Sequence, residues 1–268
     1  MKKIFLLAFL CIGSQMAIEA QELYVFSEPA SNMPAGTLGL KFSAMRGKER
    51  HHYEGRSQRY MPELMLGFSK KLMVHAGTTF SNMYSKDNRW ESVYIYGKYR
   101  FLSIDDVHRH FRMAAFAQGA YARNEPYFED IGLQGDRSGI QGGLIATQLI
   151  GKFAGSATGS FIQTFHDNKN FRDQALNYSL SAGLLVLPFE YKSYRQLNLN
   201  IYAELLGQKL LESDAYYIDF APAIQFIVNS NSKLNFGYRF QLDGNQFRSM
   251  ERYFQVSLEH TFYNVLKK

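Results

Sequence analysis

Cysteine is almost missing from this chain of 268 residues: Cys11 is the single one. The chain therefore closes no internal disulfide and offers no cluster of thiolate metal ligands. Long hydrophobic runs are also missing beyond the first twenty residues. The longest, Ala182 to Phe189, has eight residues, far short of the roughly 20 that a membrane-crossing helix needs. No block of like charge stands out either. The formal charge of +6 is spread along the sequence, which argues against a nucleic-acid partner.

What is present begins with an export signal. Lys2 and Lys3 precede the apolar run Ile4 to Ile12, and small residues lead to Ala20, followed by the polar pair Gln21-Glu22. This is the pattern of a cleaved signal peptide over 1–20. Cleavage there removes Cys11, so the exported chain is expected to be cysteine-free and stabilised by something other than disulfides.

The remaining chain carries a period of two. In the last stretch Phe254, Val256, Leu258 and Phe262 fall on one face, while Gln255, Ser257, Glu259 and Thr261 fall on the other. Leu234, Phe236, Tyr238 and Phe240 alternate in the same way with Asn235, Gly237, Arg239 and Gln241. Alternation of this kind marks strands with one apolar and one polar face. Strands of about 9 to 11 residues suffice to span a bilayer when every second side chain faces lipid. The template predicts twelve segments, at 36–46, 59–68, 72–82, 92–102, 111–122, 138–150, 153–165, 175–189, 197–210, 216–229, 233–243 and 252–263. The expectation is an all-β fold, an antiparallel transmembrane β-barrel of about 12 strands with short periplasmic turns and longer extracellular loops. Residues 21–35 become a periplasmic N-terminal segment, 36–263 the barrel and 264–268 a C-terminal tail. Aromatic supply fits lipid interfaces, with 22 Phe and 18 Tyr against one Trp. Pro222, in the middle of the tenth segment, removes a ladder donor and is expected to mark a bulge.

The stretch Pro62-Glu63-Leu64-Met65-Leu66-Gly67-Phe68-Ser69-Lys70-Lys71-Leu72 resembles the strand, Gly-x-Ser/Thr turn and strand of outer-membrane β-barrel transporters of the phenol-degradation-pathway type, with relatives in Bacteroidetes-like bacteria. Residues Ser27 to Pro34 also look like such chains. Barrels of that kind usually end on an aromatic residue, whereas here Phe262 is followed by a short tail ending in Lys267-Lys268. The resemblance implies an outer-membrane location and passive movement of small molecules, hydrophobic ones among them, by analogy of fold.

Inward-pointing positions of the predicted strands supply the candidate lumen residues Lys41, Glu63, Lys98, Arg100, Glu204, Arg239, Asp243 and Glu259. Their mixed signs and the bulk of Tyr94, Tyr96 and Tyr202 predict a constricted or partly plugged lumen. Met65, Met73 and His75 share the inner face of one hairpin, and thioether with imidazole suits copper(I). Met is also a common flexible filler of cores. Met33, Met45, Met83, His51 and His52 lie in the same third of the chain.

None of the seven His residues has Ser two positions on, the arrangement seen in outer-membrane lipid hydrolases. The chain is thus read as no enzyme. Gly155 and Gly159 sit inside a predicted strand, so nucleotide binding lacks its context, and no cofactor is expected. The loop 47–58 is basic, through Lys48, Arg50 and Arg56, and 123–137 is acidic, through Glu125, Glu129, Asp130 and Asp136. Such charges contact lipopolysaccharide phosphates or a partner, or only keep a loop solvated. Expected partners are outer-membrane lipid, lipopolysaccharide and the barrel assembly machinery. A channel for small solutes, a non-transporting structural or adhesin-like barrel and a copper-handling barrel all remain open at this point.

Overall fold

The computed structural model describes residues 24–47, 55–107, 109–166, 171–190, 195–211 and 213–265. The expectations for the signal peptide over 1–20, for His51 and His52, and for most of the basic loop lie outside them.

Twelve strands form: β1 (Thr37–Gly47), β2 (Gln58–Gly67), β3 (Leu72–Ser81), β4 (Arg89–Asp105), β5 (Arg109–Ala122), β6 (Gly139–Ile150), β7 (Phe153–Thr164), β8 (Gln174–Leu187), β9 (Asn198–Leu210), β10 (Tyr216–Val228), β11 (Ser232–Gly244) and β12 (Arg252–Phe262). Each is antiparallel to its neighbour in sequence, and β1 pairs with β12 from Leu38↔Phe262 to Gly47↔Tyr253, so the sheet closes into a barrel. Closure satisfies the two edges that an open sheet would leave unpaired, which a lipid surround does not tolerate.

The period of two is realised as an apolar outside and a polar inside. Along β12, Phe254, Val256, Leu258 and Phe262 are exposed on the outer wall, while Gln255, Ser257, Glu259 and Thr261 are buried. Along β1, Leu40 and Phe42 face out and Ser43 faces in. Stacked pairs such as Phe42 with Tyr60 and Trp90 with Tyr121 add aromatic surface to the wall. A wall of this kind is matched to lipid outside and to polar filling within.

Connections differ at the two ends. At the turn end, 68–71, 106–108, 151–152 and 229–231 are tight, and only 188–197 is long. Asn229 and Ser230 take φ of 53° and 56° there, the two left-handed residues of a primed hairpin turn. At the loop end lie 48–57, 82–88, 123–138, 165–173, 211–215 and 245–251.

Pro222 does not mark a bulge. It pairs with Ala203 of β9, and the β10–β11 ladder runs from Phe220↔Phe240 to Ala223↔Gly237 in unchanged register, skipping Ala221 and Pro222. The register shift in that ladder lies earlier, between Ile218 and Asp219. A missing donor removes one rung, and a ladder held on both flanks accepts the gap without an inserted residue. Pro62 leaves a matching gap between Tyr60↔Phe80 and Glu63↔Gly77 in the β2–β3 ladder.

Candidate functional site

The functional candidate is the interior, because two pieces of chain that belong to no strand fill it from opposite ends. The segment at 24–35, expected in the periplasm, runs inside the barrel from the turn end. A charged, hydrogen-bonding inner wall gives an irregular peptide the partners that its backbone would otherwise take from water.

Those partners are specific. Glu204 is fully buried and accepts from the backbone N–H groups of Val25 and Phe26, both at 3.0 Å, and from Ser181 Oγ at 3.2 Å. Lys98, also fully buried, donates from Nζ to the carbonyls of Pro29 at 2.5 Å and Ser31 at 2.9 Å and to Glu28 Oε2 at 3.3 Å. Three donors on one ammonium thus meet three acceptors, which is how a buried charge escapes the cost of desolvation. Ala30 N–H donates to Thr147 Oγ1 and Arg112 to Ser31 Oγ, each at 2.9 Å. Aromatic contacts seat its start: Tyr24 meets Tyr202 edge to face, and Phe26 does the same with Tyr253. Gly237 makes room for Phe26, since a Cβ there would stand 2.5 Å from the Phe26 ring.

At the loop end, 123–138 and 245–251 fold inward. The acidic loop is not merely solvated, because Asp136 is buried and held bidentate by Arg59, at 3.1 and 2.6 Å, with Tyr84 donating to the same carboxylate. Gln208 clamps the backbone of Ile131, accepting from its N–H and donating to its carbonyl, both at 2.9 Å. The two loops hold each other: Glu129 and Phe247 exchange backbone and side-chain bonds at 2.8 Å, and Ser249 donates twice to Asp130. Arg248 reaches Asp219 with two bonds of 2.7 Å, and Arg239 reaches the same carboxylate at 2.6 Å. Burial pushes the Asp130 carboxyl above its ordinary range, and the neighbouring Asp136 charge adds to that; Arg248 and the Ser249 donors act the other way.

Between the fillings lies a cavity of about 370 Å³ bordered by Glu28, Lys41, Glu63, Tyr94, Gln118 and Tyr217 among others. Lys41 and Glu63 face each other there at 4.0 Å, and Tyr94 donates to Glu63. Arg239 borders the same cavity, and the remaining candidate lumen residues are placed differently. Lys98 and Glu204 lie under the N-terminal segment rather than on open space. Glu259 is paired with Lys233 at 2.5 Å, and Arg239 with Asp219. Arg100 is half-buried toward the turn end of β4, at the register shift before Leu102. Asp243 is exposed at the loop end, where it accepts from Tyr216; the strand has left the enclosed lumen by that height. Arg59, Asp136, Asp219 and Arg248 form the principal ion pairs, yet only Asp219 stands out from alternation as an inward acid. Arg248 and Asp136 sit in loops, where periodicity carries no signal.

His75 lies 3.4 Å from Glu63 through Nδ1, and Met65 and Met73 pack with Met33 and Tyr96 in one buried cluster. Among the described residues no three His, Cys, Asp or Glu side chains come together as a metal centre.

Comparison with known proteins shows a shared fold. No family model matches the chain, and no curated protein sequence does. Among solved structures, the COG4313 outer membrane channel from Pseudomonas putida F1 superposes with a TM-score of 0.54 at 12% identity, over 89% of this chain and 100% of that one. The KdgM porin aligns with a TM-score of 0.47 at 10% identity, over 84% of this chain and 99% of that one. The β domain of the Bordetella autotransporter BrkA aligns with a TM-score of 0.49 at 12% identity, over 85% and 99%. At 12% identity the channel that superposes at 0.54 shows a shared barrel fold and nothing of the solute.

Proposed function

We propose that the protein is a gated outer-membrane channel for small polar solutes, with residues 24–35 as the gate. One observation carries this reading. The segment fills the lumen without a strand or helix of its own, so its withdrawal breaks no rung of the barrel. Its anchors, Lys98 and Glu204, project from the wall into what becomes a water-filled passage once it leaves. Water then takes over the bonds that the backbone made, and the cost of opening is far below that of unfolding. The polar border of the central cavity favours polar solutes over the hydrophobic ones that the sequence resemblance implied.

A second reading, a non-transporting structural barrel, is favoured by the interlocked loops at the loop end. Conductance in planar bilayers separates the two. The full chain is expected to conduct in brief, small events, and a chain lacking 24–35 to conduct steadily at a higher level. Equal silence from both, with heat-modifiable migration on gels proving each folded, would establish the structural barrel instead.

A further inference from the structure

The unexplained chemistry of the interior is concentrated near the turn end. Met33 of the N-terminal segment, Met65 of β2 and Met73 of β3 are at most 8% exposed and, with His75, border a second cavity of about 50 Å³. That is space for a single small species. His75 is 4% exposed, and its Nε2 is buried without a hydrogen-bond partner among the described residues. On its other side Nδ1 faces the Glu63 carboxylate at 3.4 Å. A carboxylate there favours the proton on Nδ1 and leaves Nε2 with its lone pair outward, the arrangement by which metal-binding His residues are usually oriented. Gly39 supplies the room: a Cβ at that position would stand 2.8 Å from the Cε of both Met33 and Met65, so the methyl ends of the two side chains meet over bare backbone.

We infer that Met33, Met65, Met73 and His75 form a binding site for a soft monovalent cation, copper(I) or its analogue silver(I). Thioether sulfur and imidazole nitrogen are soft to intermediate donors, which select copper(I) over magnesium, calcium or manganese. The four ligands are neutral, and the carboxylates on the same cavity are already matched by cations, Glu28 by Lys98 and Glu259 by Lys233, with Lys41 held by Glu63; a single positive charge is thus the most that the buried site holds, since a divalent ion would need carboxylates or thiolates free to offset it. The alternative occupant is water. It explains an unsatisfied His75 and equally the unpartnered amide atoms of Asn32 on the same cavity, but it gives no reason for three methionines to converge there. Because Met33 belongs to the N-terminal segment and the other three ligands to the wall, a bound cation would fasten that segment to the barrel. The site stands independently of whether the barrel conducts.

The test uses the full chain carrying Cys11→Ser, folded in detergent under anaerobic reducing conditions, in competition with a chromophoric copper(I) chelator. One equivalent of copper(I) is expected to bind, with sulfur and nitrogen scatterers in the X-ray absorption spectrum. Met65→Leu with Met73→Leu, close in shape and lacking the sulfur, should abolish that binding while leaving heat-modifiable migration intact. Glu63→Gln should weaken it about tenfold, as loss of an orienting partner does. Copper(I) should also slow proteolysis of the N-terminal segment in the parent and not in Met33→Leu. Binding retained by the double leucine variant, a spectrum without sulfur, or no competition by the folded parent would each overturn the assignment.

Discussion

The two fillings of the barrel solve the same problem with different chemistry. At the turn end an irregular peptide lies against wall charges that its backbone largely satisfies: Lys98 by two carbonyls, beside one carboxylate from Glu28, and Glu204 by N–H groups. At the loop end charge meets charge, Arg59 with Asp136 and Arg239 and Arg248 with Asp219. Backbone partners are replaceable by water. A buried carboxylate shared by two guanidinium groups is not, because removing it strands two charges in a poorly solvated place. The first filling is therefore the easier of the two to displace.

Asp219→Ala should produce the largest effect, a loss of about 3–5 kcal/mol, as expected when one partner of a buried pair is removed. It would appear as a lower urea midpoint for the loss of heat-modifiable migration. Lys98→Met should cost the N-terminal segment about 1.5–3 kcal/mol of anchoring, the worth of a hydrogen bond to a charged group. Limited proteolysis should then cut near 24–35 sooner, while the urea midpoint of the barrel stays close to the parent's. Were Lys98→Met to lower that midpoint as much as Asp219→Ala, the distinction between the two ends would be broken.

The smallest effect concerns pH. The Asp130 carboxyl is raised by burial, then by Asp136. A group whose folded pKa exceeds its unfolded value, about 3.9 for Asp, contributes stability that is full below that unfolded value. The contribution fades as pH rises through the folded one. Loops 123–138 and 245–251 should thus hold more firmly in acid and loosen toward neutrality, read as slower protease cleavage of these loops at low pH. Asp130→Asn, which mimics the protonated form, should remove the dependence; an unchanged pH profile in that variant would assign it to another group.

Much of the wall was legible in the sequence. All twelve expected segments form, and the largest boundary difference is in β4, expected at 92–102 and found at Arg89–Asp105. Shifts in its ladders, near Thr79/Phe80 and Arg100/Leu102, lengthen it beyond the simple alternation. The inward direction of Lys41, Glu63, Lys98 and Glu204 also follows from alternation. Their partners do not. Val25 and Glu204 are 179 positions apart, and Glu129 and Phe247 118, with no repeat to link them.

By itself, then, the sequence determined the strands, their faces and their number, because a ladder is local and a pleated strand turns its side chains over at every residue. Only the closed tertiary structure decided what fills the lumen. Which wall charge meets which loop, and whether the N-terminal segment lies inside, depends on strands far apart in sequence curving to face one another across a common axis, and no local period encodes that meeting.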